Sequence, residues 1–140
     1  MVKNKSSFAQ SVKHQKTKYN ITDEELDLLY RLVEAESGTE PYNGRVAVAQ
    51  VVLNRVKDRR FPDTITGVIY QPYQFQVVRK GRLNITPKES TKKAVHDALN
   101  GKNVIGNCIG FWATYVDRDC DLWKLPIKYT IGSHVFTSSY

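Results

Sequence analysis

The apolar residues of segment 23–37 recur with the spacing of an amphipathic α-helix. One face of a helix with 3.6 residues per turn would carry Leu26, Leu29, Leu32 and Val33. Thr22 followed by Glu25 is the sequence pattern of a capping box, and Gly38 comes directly after the last periodic position. The pattern therefore predicts a helix that begins at Asp23 and ends before Gly38.

A second helix is predicted from an N-cap at Asn43 to about Lys57. Its wide apolar face would consist of Ala47, Val48, Val51, Val52 and Val56. Segment 64–70 is short and apolar, which fits either a helical turn or a strand, and we favour a short helix capped by Asp63 or Thr64. These helices would form the first half of the core.

Segment 71–84 contains Pro72 and a Lys-Gly turn, which favours a loop that packs through Tyr73 and Phe75. A further helix is predicted after it. Thr86 and Glu89 have the spacing of a capping box with a proline at the first helical position. The inward face of this helix would carry Ala94, Val95, Ala98 and Leu99, before Asn100 and Gly101 end it.

After Gly101 the pattern changes from helical to extended. Val104–Tyr115 and Ile127–Phe136 are rich in β-branched and aromatic residues and are interrupted by glycines. We interpret them as two or three short antiparallel strands. Helices first and a small sheet last is the order of an α+β fold.

One carboxylate interrupts the apolar face of the first helix. Glu36 lies four residues after Leu32, so the apolar stripe carries an acid at its C-terminal end. Burial there would raise the pKa of the carboxyl, as a general acid working near neutral pH requires. Alternatively, Glu36 is solvated at the rim or paired with a structural arginine. Glu34 is predicted to face solvent, and Glu40 to lie beside Glu36.

Charge is concentrated at one end of the chain. Residues 1–20 hold five lysines and no acid, so they carry +5 of the net charge of +7. We therefore divide the chain into a flexible basic tail, 1–20, and one domain, 21–140. A nucleic-acid binder is a weak alternative, because the charge lies in the tail and no recognition motif is present.

Other features narrow the classes of function. No apolar run is long enough to span a membrane, and the N-terminus has no signal-peptide core. The three histidines have no metal-ligand spacing, and no metal or cofactor is expected. Cys108 and Cys120 permit either one disulfide or two free thiols.

Several separated motifs match one known family. The stretches AESGTEPYNGRVAVAQVVLNRV, FPDTITGVIYQPYQFQ, LNITPKES, ALNG and IGSHVF follow in that order. Together they resemble the SleB/CwlJ-type cell-wall hydrolase family, which includes the spore cortex-lytic enzymes. The resemblance implies a lysozyme-like α+β catalytic domain that cuts peptidoglycan between N-acetylmuramic acid and N-acetylglucosamine. It also implies the chemistry of a lytic transglycosylase, which leaves a 1,6-anhydro-muramic acid end.

The resemblance also implies roles for particular residues. In AESGTEPY the catalytic acid of the family falls on Glu36 and the second acid on Glu40. The remaining candidates for substrate contact or support are Tyr42, Gln71, Gln74, Phe75, Trp112 and His134. For His134 a structural role is the alternative. Of Trp112, Tyr115 and Trp123, we expect one to touch glycan.

The chain departs from the family pattern in two places. Ser37-Gly38-Thr39 replaces the usual small residue, arginine and glycine, and Ala113-Thr114 lacks the asparagine and proline common in the sheet. The second departure affects the expected glycan contacts on that side. The peptidoglycan-binding repeats that often precede the family's domain do not occur in this sequence.

The expected reaction needs one carboxyl group. Glu36 would protonate the glycosidic oxygen, and the 6-hydroxyl of the muramic acid would capture the oxocarbenium-like centre. Plain hydrolysis, with Glu40 or Asp117 positioning a water, is one alternative, and a non-catalytic peptidoglycan-binding module is another. The expected partner is peptidoglycan, with no nucleic acid and no membrane span. The protein is expected to act as a monomer in the cell wall or in the spore cortex or coat.

Overall fold

The computed structural model describes residues 19–139, which form five α-helices followed by a three-stranded antiparallel sheet. The helices are α1 (Asp23–Ser37), α2 (Tyr42–Lys57), α3 (Ile65–Ile69), α4 (Gln76–Arg79) and α5 (Glu89–Leu99). The strands are β1 (Gly110–Ala113), β2 (Tyr129–Ile131) and β3 (His134–Thr137). A 3₁₀ turn, Asp121–Lys124, lies between β1 and β2. The predicted α+β order is confirmed, whereas most of the predicted tail, residues 1–18, lies outside the described residues.

The capping box predicted for α1 is present. The Thr22 hydroxyl accepts a hydrogen bond from the Glu25 amide at 3.1 Å, and the Glu25 side chain accepts one from the Thr22 amide. The helix ends at Ser37, and Gly38 is its C-cap. Local sequence therefore defines both ends of the element that carries Glu36.

The predicted N-caps of α2 and α5 are wrong. α2 begins at Tyr42 rather than after Asn43, because the Pro41 carbonyl already accepts the first helical hydrogen bonds. α5 begins at Glu89 with Lys88 as its N-cap, so Thr86 forms no capping box. The Lys88 amide instead donates to Glu34 Oε1 at 3.0 Å, a contact that no local pattern reveals.

The connection between α3 and α5 differs from the predicted loop in two respects. It contains the short helix α4, and only one of its two predicted anchors is buried. Phe75 is 4% exposed, which confirms that prediction, whereas Tyr73 is 83% exposed. Thr64 caps α3 by accepting a hydrogen bond from the Gly67 amide, as predicted.

The core lies mainly between α1, α2 and α5, which pack against one another. β3 is the central strand, antiparallel to both β1 and β2, and all of its residues are buried. A smaller cluster joins α2 to the sheet and consists of Ala47, Val51, Ile105, Cys108 and Phe136. The sheet is therefore held against the helices by apolar contacts along α2.

The cysteines are free thiols. Cys108 is buried in the cluster between α2 and the sheet, and Cys120 is partly buried in the loop after β1. Of the two alternatives left open by the sequence, the structure holds the unbridged one. Within residues 19–139, no helix has the length and apolarity needed to cross a membrane.

Candidate active site

Glu36 is in the last turn of α1 and is partly buried. Within the described residues, its carboxyl group has no hydrogen-bond donor and no cation as a partner. Burial without such a partner raises the pKa of Glu36 to about 7. A substantial fraction of this carboxyl therefore carries a proton at neutral pH, as a general acid requires.

Glu34 is not solvated, so that prediction is wrong. Its side chain is 8% exposed and accepts hydrogen bonds from the Lys88 amide at 3.0 Å and the Lys88 ammonium at 2.5 Å. Burial alone would raise the pKa of Glu34, but the bonds from Lys88 outweigh it and hold the pKa below its usual value. A Cβ on Gly38 would lie 2.1 Å from Glu34 Oε2, so glycine is needed there. Glu34 thus joins α1 to the start of α5.

Glu40 connects the turn between α1 and α2 to the sheet. Its Oε1 accepts a hydrogen bond from the Ser133 amide at 2.8 Å, and its Oε2 accepts one from the Ser133 hydroxyl at 2.5 Å. Burial favours a higher pKa, but these bonds, with the nearby His134, lower the pKa of Glu40 below its usual value. Gly132 adopts a φ of +58°, and a Cβ there would lie 2.5 Å from Glu40 Oε1. Glu40 is therefore an ionised acceptor rather than a proton donor.

His134 is a buried residue of the central strand. It is paired with Ala113 of β1 and Ile131 of β2, and its ring packs edge-on against Phe111 and Phe136. Burial lowers the pKa of His134, and the charge of Glu40 opposes this only in part. The imidazole is consequently neutral at pH 7, and its environment favours the structural role.

The segment Gln71-Pro72-Tyr73-Gln74-Phe75 is held at one end by Arg55. The Arg55 guanidinium donates to Gln74 Oε1 at 3.1 Å and lies over the ring of Phe75, 5.3 Å from its centroid. Gln71 Oε1 is buried and has no hydrogen-bond partner within the described chain. The contacts of Gln74 and Phe75 with Arg55 therefore hold the C-terminal end of this segment in place.

Tyr42 joins α2 to α5. Its hydroxyl donates a hydrogen bond to the Asp97 carboxylate, and burial together with that bond raises the pKa of Tyr42 to about 12. Arg45, Lys93 and Lys102 place their cations 5.1–5.7 Å from the centroid of its ring. These contacts give Tyr42 a supporting role in helix packing.

The three aromatic residues near the end of β1 differ in exposure. Trp112 is 5% exposed and packs edge-on against Trp123 at 5.6 Å, and the Arg118 guanidinium covers the Trp123 ring at 3.7 Å. Tyr115 is 86% exposed. Of the three, Tyr115 offers the most accessible ring.

A separate polar cavity of about 580 Å³ opens beside the C-terminal half of α2. Gln50, Asn54, Lys57 and Asn103 contribute to its wall, and Glu36 does not. Two of these amides are used internally, because Gln50 donates to Asn103 Oδ1 and Asn54 donates to the Cys108 carbonyl. The candidate active site at Glu36 is therefore distinct from this cavity.

Sequence reasoning missed two residues that organise the region. Arg55 is 5% exposed and binds the Ile109 carbonyl as well as Gln74. Ser133 supplies both donors to Glu40. A signal for Arg55 existed, since an arginine one turn after Val51 and Val52 continues an apolar helix face.

Comparison with known proteins places this arrangement in a family. A family model described as Cell Wall Hydrolase matches residues 39–137. A spore cortex-lytic enzyme of Bacillus cereus is 41% identical over 112 residues, covering 80% of this chain and 43% of that protein. A spore cortex-lytic enzyme of Bacillus subtilis is 33% identical over 115 residues, and the match covers 82% of this chain and 38% of that protein.

Solved structures agree with the sequence matches. The catalytic domain of the germination-specific lytic transglycosylase SleB from Bacillus anthracis superimposes with a TM-score of 0.77 at 38% identity, covering 84% of this chain and 96% of that one. The α+β fold is thus the fold of SleB catalytic domains. This chain belongs to the SleB/CwlJ-type cell wall hydrolase family, which confirms the resemblance. It spans less than half the length of the spore cortex-lytic enzymes it matches.

Proposed function

We propose that this chain is an enzyme that cleaves peptidoglycan strands between N-acetylmuramic acid and N-acetylglucosamine, with Glu36 as the general acid. The observation that carries the proposal is a partly buried carboxyl with a pKa of about 7 and no charged partner within residues 19–139. The names of the relatives support it, because they describe spore cortex-lytic enzymes and a lytic transglycosylase.

The proposed reaction uses the same carboxyl twice. The protonated Glu36 donates its proton to the glycosidic oxygen, the bond from that oxygen to C1 of the muramic acid breaks, and positive charge develops at C1. The 6-hydroxyl of the same sugar then bonds to C1 and returns a proton to the Glu36 carboxylate. The product is a 1,6-anhydro-muramic acid end, and no water is consumed.

Plain hydrolysis is the alternative within the same class of enzyme. It would use a second carboxylate to position a water molecule. Both oxygens of Glu40 accept hydrogen bonds from Ser133, and Asp117 Oδ1 accepts one from the Asp119 amide at 3.0 Å. These engagements favour the route that needs one carboxyl. A non-catalytic binding module is less well supported, because it gives the protonated Glu36 no purpose.

The names of the same relatives support a proposal for the biological setting. We assign residues 21–140 to the catalytic domain and its substrate to the peptidoglycan of the spore cortex or cell wall, outside the cytoplasm. The proposal has the domain acting as a monomer on glycan strands.

The pH dependence of cleavage tests the role of Glu36. Because the acid must be protonated, the rate should be highest below the pKa of about 7 and should fall as pH rises through it. Above that point the fall should approach about tenfold per pH unit. The measurement is the initial rate of turbidity loss of purified sacculi, with circular dichroism at each pH to verify folding. A rate that stays constant well above neutrality would contradict a general acid with this pKa.

A further inference from the structure

The backbone at Tyr73 is in a conformation that its side chain disfavours. Its φ is +65°, in the left-handed region where glycine and asparagine are the usual residues. A tyrosine there is opposed by backbone energetics. Such outliers are often found at ligand-binding positions, where the surrounding structure holds them in place.

Burial does not compensate for this strain. Tyr73 is 83% exposed, although the loop on which it lies is firmly held two residues later by the buried Phe75. The neighbouring Gln74 is bound to Arg55 at 3.1 Å. The loop therefore presents an aromatic ring to solvent from a fixed base, which is unfavourable in the free protein.

One face of this ring is backed by a cation. The guanidinium carbon of Arg79 lies 5.8 Å from the Tyr73 ring centroid. In the described part of the chain, Arg79 has no carboxylate partner. The pair thus offers an open aromatic face and an unpaired guanidinium next to each other. These are the groups that contact the apolar face of a sugar ring and a carboxylate, respectively.

The pair is linked to the helix that carries Glu36. Arg79 is the last residue of α4, and α4 packs against α1, whose last turn contains Glu36. A glycan strand that passes Glu36 extends over several sugar rings. A subsite at the Tyr73–Arg79 pair would hold one of these further rings.

We propose that Tyr73 and Arg79 form a binding subsite for a sugar ring that bears a carboxylate-containing substituent. The ring would stack on the open face of Tyr73, and Arg79 would pair with the carboxylate. In peptidoglycan this describes a muramyl residue whose stem peptide carries a free carboxylate. The inference rests on the proposed function and adds to it a sugar-recognition site outside the motif residues Gln71, Gln74 and Phe75.

Substitutions at Tyr73 distinguish the effect of its backbone strain from the effect of its ring on glycan binding. Tyr73→Gly removes the ring and suits the positive φ, so it should melt no lower than its parent while binding sacculi about tenfold more weakly. Tyr73→Phe keeps the ring and should bind like the parent. Tyr73→Asn, which also tolerates this backbone, provides a second variant without the ring. Binding is measured by co-sedimentation with purified sacculi, with all variants in a Glu36→Gln background to prevent cleavage.

Arg79→Gln tests whether Arg79 pairs with a carboxylate of the bound glycan. Its binding should weaken on native sacculi but match the parent on sacculi whose carboxyl groups have been amidated. Equal loss on both substrates would overturn the carboxylate assignment, and unchanged binding by Tyr73→Gly and Tyr73→Asn would overturn the subsite. If the wild-type protein cleaves sacculi while the Tyr73 variants bind normally, the inference fails and the proposed function stands. If binding depends on Tyr73 but the wild-type protein cleaves nothing, the subsite stands and the proposed cleavage activity fails.

Discussion

Glu36→Gln is expected to reduce cleavage of peptidoglycan by a factor of about 100 or more, the usual scale for the loss of a general acid. Glutamine preserves the shape of the side chain but has no proton of suitable acidity to donate to the glycosidic oxygen. Turbidity loss of purified sacculi measures the rate, and circular dichroism verifies the fold.

The same substitution should stabilise the folded protein at alkaline pH. The folded-state pKa of Glu36, about 7, lies above that of an unfolded glutamate, so ionisation opposes folding. The free-energy cost of ionising Glu36 in the folded protein is fully present at pH values above its folded-state pKa. It disappears at pH values below the pKa of an unfolded glutamate. We therefore expect Glu36→Gln to raise the free energy of unfolding by roughly 3 kcal/mol at pH above 8, and to change it little near pH 4.

Matched carboxylates provide the controls. Glu24 is exposed in the first turn of α1, so Glu24→Gln should leave the rate unchanged. Glu34→Gln is unsuitable as a silent control because Glu34 binds Lys88. Glu40→Gln should be intermediate, since it weakens the bonds to Ser133. An active Glu36→Gln beside an inactive Glu40→Gln would mean that the acid is assigned to the wrong residue.

Arg55→Leu is expected to lower the free energy of unfolding by about 3 kcal/mol. Arg55 is 5% exposed, its Nε donates to the Ile109 carbonyl at 2.7 Å, and its guanidinium lies 4.9 Å from the centroid of the Phe61 ring. Leucine fills part of the space but leaves the Ile109 carbonyl and Gln74 without their donor. Urea denaturation monitored by circular dichroism measures the change.

Arg59 supplies the matched control four residues later. It is exposed, so Arg59→Leu should change the free energy of unfolding by less than about 0.5 kcal/mol. If Arg55→Leu were as mild as Arg59→Leu, the buried guanidinium would not be the element that holds the loop of Gln74 and Phe75 against the sheet.

The parts of the fold that depend on local pattern were predictable. The capping box at Thr22 and the apolar period of α1 defined that helix, whereas its last turn buries Glu34 and Ser37 and leaves Glu36 only partly buried. The switch to β-branched and aromatic residues after Gly101 predicted the antiparallel sheet. Each of these features depends on neighbours within a few positions along the chain.

The errors arose where distant residues decide the outcome. Helical periodicity placed Glu34 toward solvent, yet Lys88, 54 residues away in the sequence, covers it and also moves the start of α5. Tyr73 was predicted to be an anchor because it is aromatic, whereas a positive φ points it outward. Neither the contact of Glu34 with Lys88 nor the orientation of Tyr73 leaves a periodic signal in the sequence. In both cases the tertiary structure overrides the local preference.

Mass spectrometry of the soluble fragments released from sacculi tests the central claim most directly. The proposed reaction predicts that the wild-type protein releases fragments with 1,6-anhydro-muramic acid ends and that Glu36→Gln releases none above background. Fragments with reducing muramic acid ends would contradict the intramolecular capture and indicate hydrolysis. Release of anhydro fragments by Glu36→Gln at the wild-type rate would contradict the role of Glu36 itself.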